Sequence, residues 1–244
     1  MRGNRLGMVC LMGWGMVAGV LGQQPAGRQV VEAAEQTLLS LGMEEIRVAQ
    51  TDSVCTIAYE DNIYRGTYRG LAAVIEALRS LPETEQATAY ELVVLDDRMP
   101  RLLLTLPRQT AALEVSYDTD EAMRRLKGKE RRNKMAGRID VVLYPELFLQ
   151  NSWLDKLYGV AVNFSPAIRM DLWKGAVLTG QVVLPVYTNM TDFRKYIRPG
   201  VITLRQEFRL PGGVLGRLTA GNFTGNRMGV DAALRYQPAR GRWL

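Results

Sequence analysis

The stretch 158–187, YGVAVNFSPAIRMDLWKGAVLTGQVVLPVY, holds two runs of alternating side chains joined by the short turn Trp173-Lys174-Gly175. Alternation with a period of two sends successive side chains to opposite faces of a strand, so each run has one apolar face. The solvent which that face meets decides what the chain can be: a protein core gives a soluble sheet, whereas lipid gives a barrel wall. The pattern recurs through everything after Arg138, with strand candidates at 138–149, 157–171, 175–188, 199–210, 214–223 and 227–237. Trp173-Lys174-Gly175, Pro211-Gly212-Gly213 and Thr224-Gly225-Asn226 punctuate them. Hairpins connected in this way predict an antiparallel meander.

The faces divide cleanly. Tyr158, Val160, Val162 and Phe164 oppose Gly159, Ala161 and Asn163; Met228, Val230, Ala232, Leu234 and Tyr236 oppose Gly229, Asp231, Ala233 and Arg235. Between 202 and 210, Ile202, Leu204, Phe208 and Leu210, interrupted by Gln206, oppose Thr203, Arg205, Glu207 and Arg209. A half-exposed sheet in a soluble sandwich alternates in the same way. Three features favour lipid. Several candidates reach ten or more residues, longer than the usual globular strand and suited to crossing a bilayer at a tilt. Tyr144, Trp153, Tyr158, Trp173, Tyr187, Tyr236 and Trp243 sit near strand ends, where an interfacial girdle places aromatics. The polar face mixes both charge signs, as a wet lumen does. Arg205, Glu207, Arg209, Asp231 and Arg235 are therefore the candidate lumen-facing residues, able to hydrogen-bond a polar solute passing along the wall. The plainer expectation for them is a mutually neutralised polar surface.

Upstream the period changes. Residues 28–42 place Val30, Val31, Ala34, Leu38 and Leu41 on one helical face, with Gly42 as the stop. Two strand-like runs follow, EIRVAQ and SVCTIAYE. Then Leu71, Val74, Ile75, Leu78 and Leu81 take helical spacing before Pro82, and the runs YELVVLDD and RLLLTLP close the series. Helix–strand–strand–helix–strand–strand predicts a small α+β domain over 23–118. Residues 119–138 carry eight basic side chains between Arg124 and Arg138 and read as a basic connector, with contact to anionic headgroups as the functional alternative. The expected fold class is thus an α+β N-terminal domain followed by an antiparallel β meander over 139–244, a partial outer-membrane β-barrel.

The first 22 residues have Arg2 and Arg5, an apolar glycine-rich run and Gly22 before Gln23-Gln24, the pattern of a cleaved secretory signal. Cys10 lacks the flanking pattern of a lipidation site. Without that segment 29 basic residues face 25 acidic ones, a charge of +4, which is not the signature of a nucleic-acid binder. Cys55 would then be the one cysteine, read as a core thiol, which excludes a disulfide framework. The chain has no histidine, so every Ser-His or Cys-His nucleophile arrangement is excluded. Asp96-Asp97 and Glu60-Asp61-Asn62 read as turn residues, and no two acids have the spacing of a hydrolase pair. Asn163, Asn189 and Asn222 begin glycosylation sequons, the first weakened by Pro166. No phosphate loop or dinucleotide fingerprint is present, so no cofactor and no enzymatic activity are expected.

Three stretches resemble one family. YEDNIYRGTYRGLAAVIEAL followed by YELVVLDDRMPRLLLTL is similar to the soluble repeat of YjbH/GfcD-type proteins. YGVAVNFSPAIRMDLWKGAVLTGQVVLPVY resembles that family's Ser-Pro-x-x-Arg, Trp-x-Gly hairpin, and LTAGNFTGNRMGVDAALRYQP a later glycine-aromatic hairpin. The resemblance implies an outer-membrane barrel of a Gram-negative envelope, working with other polysaccharide-export proteins on exopolysaccharide or capsule, with no catalytic residues. Family members run far longer. Six strands fall short of the roughly eight that the smallest such barrels need, so the expectation is a truncated chain or a barrel completed by another chain. The alternative reading is a soluble secreted two-domain protein whose β half closes as a sandwich and binds glycan or protein.

Overall fold

The computed structural model describes residues 26–65, 68–83, 86–108, 110, 113–151, 158–223 and 227–238. The expected signal segment, Trp153, the turn Thr224-Gly225-Asn226 and Trp243 lie outside the described residues.

The N-terminal unit runs α1 (Ala26–Ser40), β1 (Glu44–Thr51), β2 (Val54–Glu60), α2 (Tyr68–Arg79), β3 (Ala89–Asp96), β4 (Met99–Pro107), β5 (Glu114–Ser116) and α3 (Asp120–Arg125). The five strands form one sheet in sequence order, with β2 and β3 parallel across the α2 crossover and the other pairs antiparallel. Gly42 ends α1 at φ +73°, and the Met43 amide turns back to the Leu38 carbonyl at 3.0 Å. Alternation sorts the sheet side chains. Ile57, Tyr59, Tyr90 and Leu92 go to the side of α1 and α2, where Leu38, Val74 and Leu78 are fully enclosed. Ala58, Val93 and Leu95 go to the other side, under Ala122 and Leu126. Coverage on both faces is why β2 reads as an almost continuous apolar run; each large side chain enclosed there contributes about 1.5–3 kcal/mol.

Residues 119–138, read from their charge as a connector, pack onto this unit. Ala122, Leu126 and Met135 are buried, and Arg132 makes a backbone bridge with Ile46 on the β1 edge at 2.9 and 3.0 Å. Their cations find partners within the chain: Arg125 with Glu91 and Glu121, Arg131 with Glu45, Arg132 with Glu35 and Glu130, Arg138 with Glu44 and Asp140. Half of the eight basic residues are thus engaged, which leaves less charge for an external polyanion than the sequence suggests.

The second sheet contains β6 (Ile139–Asn151), β7 (Tyr158–Trp173), β8 (Ala176–Thr188), β9 (Arg198–Leu210), β10 (Val214–Phe223) and β11 (Arg227–Tyr236). It is a meander in strict sequence order, antiparallel at every junction. Strands of 10 to 16 residues match the expected lengths. Among the described residues β6 and β11 are free edges and the sheet does not close into a barrel. What is established is an α+β unit followed by an antiparallel sheet.

Its polarity is inverted relative to a soluble sheet. On one face Leu149, Val186 and Val230 are 71%, 67% and 70% exposed, with Leu143, Leu147, Ile168, Leu204, Leu218 and Leu234 beside them. On the other, Ala161, Asn163, Ser165, Asp171 and Glu207 are buried. Over β7 to β9 small and polar side chains are covered while the large apolar ones of the opposite face are bare.

Candidate functional site

The covered face meets the tip of the β3–β4 hairpin. That hairpin turns through only Asp97 and Arg98, both with positive φ, 51° and 62°. A two-residue turn of this shape ordinarily calls for Asn-Gly. Here the Asp97 and Arg98 amides each donate to a different oxygen of the Glu60 carboxylate at 2.8 Å, and this holds the turn without glycine. Burial pushes the Glu60 carboxyl up to about 7, outweighing the two amides that pull it down.

Asp97, buried at the tip, accepts from the guanidiniums of Arg169 on β7 and Arg205 on β9. Its backbone carbonyl accepts from the Gly175 amide at 2.9 Å, and the Gly175 carbonyl accepts from the Glu207 amide at 2.7 Å. Gly175 has φ +75°, and a Cβ there would lie 2.4 Å from the Glu207 carbonyl oxygen. The position demands glycine on both counts. Arg101 on β4 pairs with Glu207 and, at 3.0 Å, with Asp96. Arg209 donates to the carbonyls of Pro100 at 3.3 Å and Tyr117 at 2.7 Å.

Three of the five residues expected to line a lumen, Arg205, Glu207 and Arg209, therefore clasp the N-terminal unit. Asp231 and Arg235 do not join them: both are exposed on the edge strand β11, Asp231 lying 3.9 Å from Arg217. Sequence reasoning missed Asp97, Arg101 and Arg169 as partners. The available signal was a Leu-Asp-Asp-Arg-Met turn without the glycine that its geometry calls for. The carboxylates of Glu60, Asp96 and Asp97 converge to within 4.8 Å, but each already receives protein donors, which suits a clasp better than a metal centre.

The opposite half of the same face holds a cavity of about 720 Å³. The β8–β9 segment, residues 189–197, folds over the sheet here, and Phe193 packs on Phe148 with ring centroids 5.3 Å apart. The Arg198 guanidinium lies 5.9 Å from the Phe193 ring centre.

Comparison of the chain with protein-family models, curated proteins and solved structures finds no match. The class that fold and site define is physical: an α+β unit clasped by ion pairs to the polar face of a six-stranded antiparallel sheet whose apolar face is bare.

Proposed function

We propose that this is a non-enzymatic envelope protein in which the second sheet is a section of an outer-membrane β-barrel wall, the N-terminal unit is periplasmic, and the assembly assists export of exopolysaccharide or capsule. The observation that carries the membrane reading is the bare apolar face continuing across six strands while the polar face is covered over β7 to β9. Water makes such an exposed area unfavourable by roughly 25 cal/mol per Å², whereas a bilayer accepts it. The soluble sandwich requires a second layer on that face, and no element among the described residues packs there.

Topology supports the same orientation. The turns at 174–175 and 211–213 lie at the sheet end that carries the N-terminal unit, and the longer segment 189–197 lies at the other end. Outer-membrane barrels have short turns on the periplasmic side and longer loops outside. The polymer is the part that rests on the resemblance to YjbH/GfcD-type proteins, together with a polar face able to hydrogen-bond a glycan; outer-membrane lipid and other export proteins would be the partners.

The test is fractionation of cells expressing the full chain, followed by an alkaline carbonate wash. The expected result is retention in the outer-membrane pellet; recovery in the soluble periplasm would overturn the assignment. Deleting the gene from an encapsulated source is expected to reduce surface polymer, and an unchanged amount would remove the export role while leaving the membrane reading intact.

A further inference from the structure

We propose that the cavity beneath the β8–β9 segment is a binding subsite for a sugar unit of an uncharged glycan chain. The argument starts from its walls. Tyr144 and Phe148 on β6 and Phe193 on the overlying segment present aromatic surface to a space of about 720 Å³, room for one or two hexose rings. Glu146, Asp192, Arg194 and Arg198 stand around it. None of these four has an ion-pair partner within 4.0 Å among the described residues, so two acceptors and two donors keep hydrogen-bonding capacity for a guest.

The chemistry selects the guest. A hydrocarbon tail would lie against the half-buried Glu146 and Arg198 and displace water from them without offering a polar partner, which carries a desolvation penalty. A multiply charged anion would meet Glu146 and Asp192 as well as the two arginines, and the signs cancel. A pyranose ring offers both things the walls ask for: C–H faces to lie on aromatic rings, and hydroxyls that donate to carboxylates and accept from guanidiniums. Gln181 adds an amide to the lining, its Oε1 fixed by accepting from the Val201 amide at 3.2 Å.

The inference rests on the proposed function for the origin of the glycan, while the binding itself is a property of the cavity. The test therefore measures binding directly on the purified full chain in lauryldimethylamine oxide, a detergent without a sugar headgroup, by saturation-transfer difference NMR and calorimetry. The probes are maltohexaose, cellohexaose and chitohexaose, with tetragalacturonate and decanoate as the charged and amphiphilic comparisons. At least one neutral oligomer is expected to bind with a Kd below about 1 mM. Phe193→Ala and Arg198→Gln are each expected to weaken it about tenfold, and Phe193→Tyr to retain it. Circular dichroism confirms that each variant stays folded, and Glu76→Gln on the exposed side of α2, away from the cavity, is expected to bind like the parent. Binding of tetragalacturonate or decanoate alone, binding of nothing, or neutral-sugar binding unaffected by both cavity variants would each overturn the proposal. A chain that proves soluble yet binds the oligomer would remove the membrane reading and keep the subsite.

Discussion

Asp97 gathers two cations of the second sheet at a single carboxylate of the first. It is enclosed at the hairpin tip and receives Arg169 and Arg205 from two strands of the other sheet. Both arginines are partly exposed, so the contribution falls between surface and buried ion pairs. Asp97→Asn is expected to destabilise by about 2 kcal/mol, and a double-mutant cycle with Arg205→Ala should give a clear coupling energy. Simple additivity in that cycle would mean that the contact is not made in solution. Gly175→Ala tests the backbone side of the same junction. Positive φ together with a blocked Cβ predicts a loss of at least about 1 kcal/mol and faster proteolysis between the sheets. Glu60 provides a pH handle. Its folded carboxyl is raised to about 7 from the ordinary 4.5, so the folded state binds a proton more tightly than the unfolded one. That contribution is complete below pH 4.5 and is lost as pH rises through about 7. Titration of carbon-13-labelled glutamate should show one carboxyl with a midpoint near 7, and a midpoint below 5 would contradict the burial effect.

At the scale of elements, β9 discriminates between lipid and water. Leu204 lies midway along it on the bare face. If that face meets hydrocarbon, Leu204→Arg should destabilise the inserted protein by about 2–4 kcal/mol. If it meets water, the same change should be near neutral. Unfolding titrations from lipid vesicles separate the two outcomes. These strands were legible in the sequence because a period of two survives any environment: the candidates 199–210 and 214–223 fall on β9 and β10 almost residue for residue. The helices α1 and α2 were legible for the same kind of reason. The strand β5 and the helix α3 were not, being three and six residues long, too short to complete a periodic signal. The partners of Arg205, Glu207 and Arg209 were not legible either. Each of these contacts joins residues roughly a hundred positions apart, and nothing local in a strand records which segment will meet it. The charge of 119–138 was conspicuous, but its pairing with Glu44, Glu45 and Glu91 depends on the tertiary fold.

At the scale of the whole molecule, the N-terminal unit sits against the polar side of the sheet at the short-turn end. In intact cells an external protease should leave that unit uncut, and cleavage should appear only once the outer membrane is opened. Early cleavage would reverse the proposed orientation. The order of the second sheet also limits how it can be completed. Because β6 and β11 run in opposite senses, its two margins are complementary to each other. Any ring built from this sheet and an even number of added strands, whether from more of the same polypeptide or from a second molecule related by a rotation about the pore axis, keeps neighbouring chains opposed at every seam. An odd supplement would force one parallel seam, so a count of strands in the finished pore reveals the parity of whatever joins it.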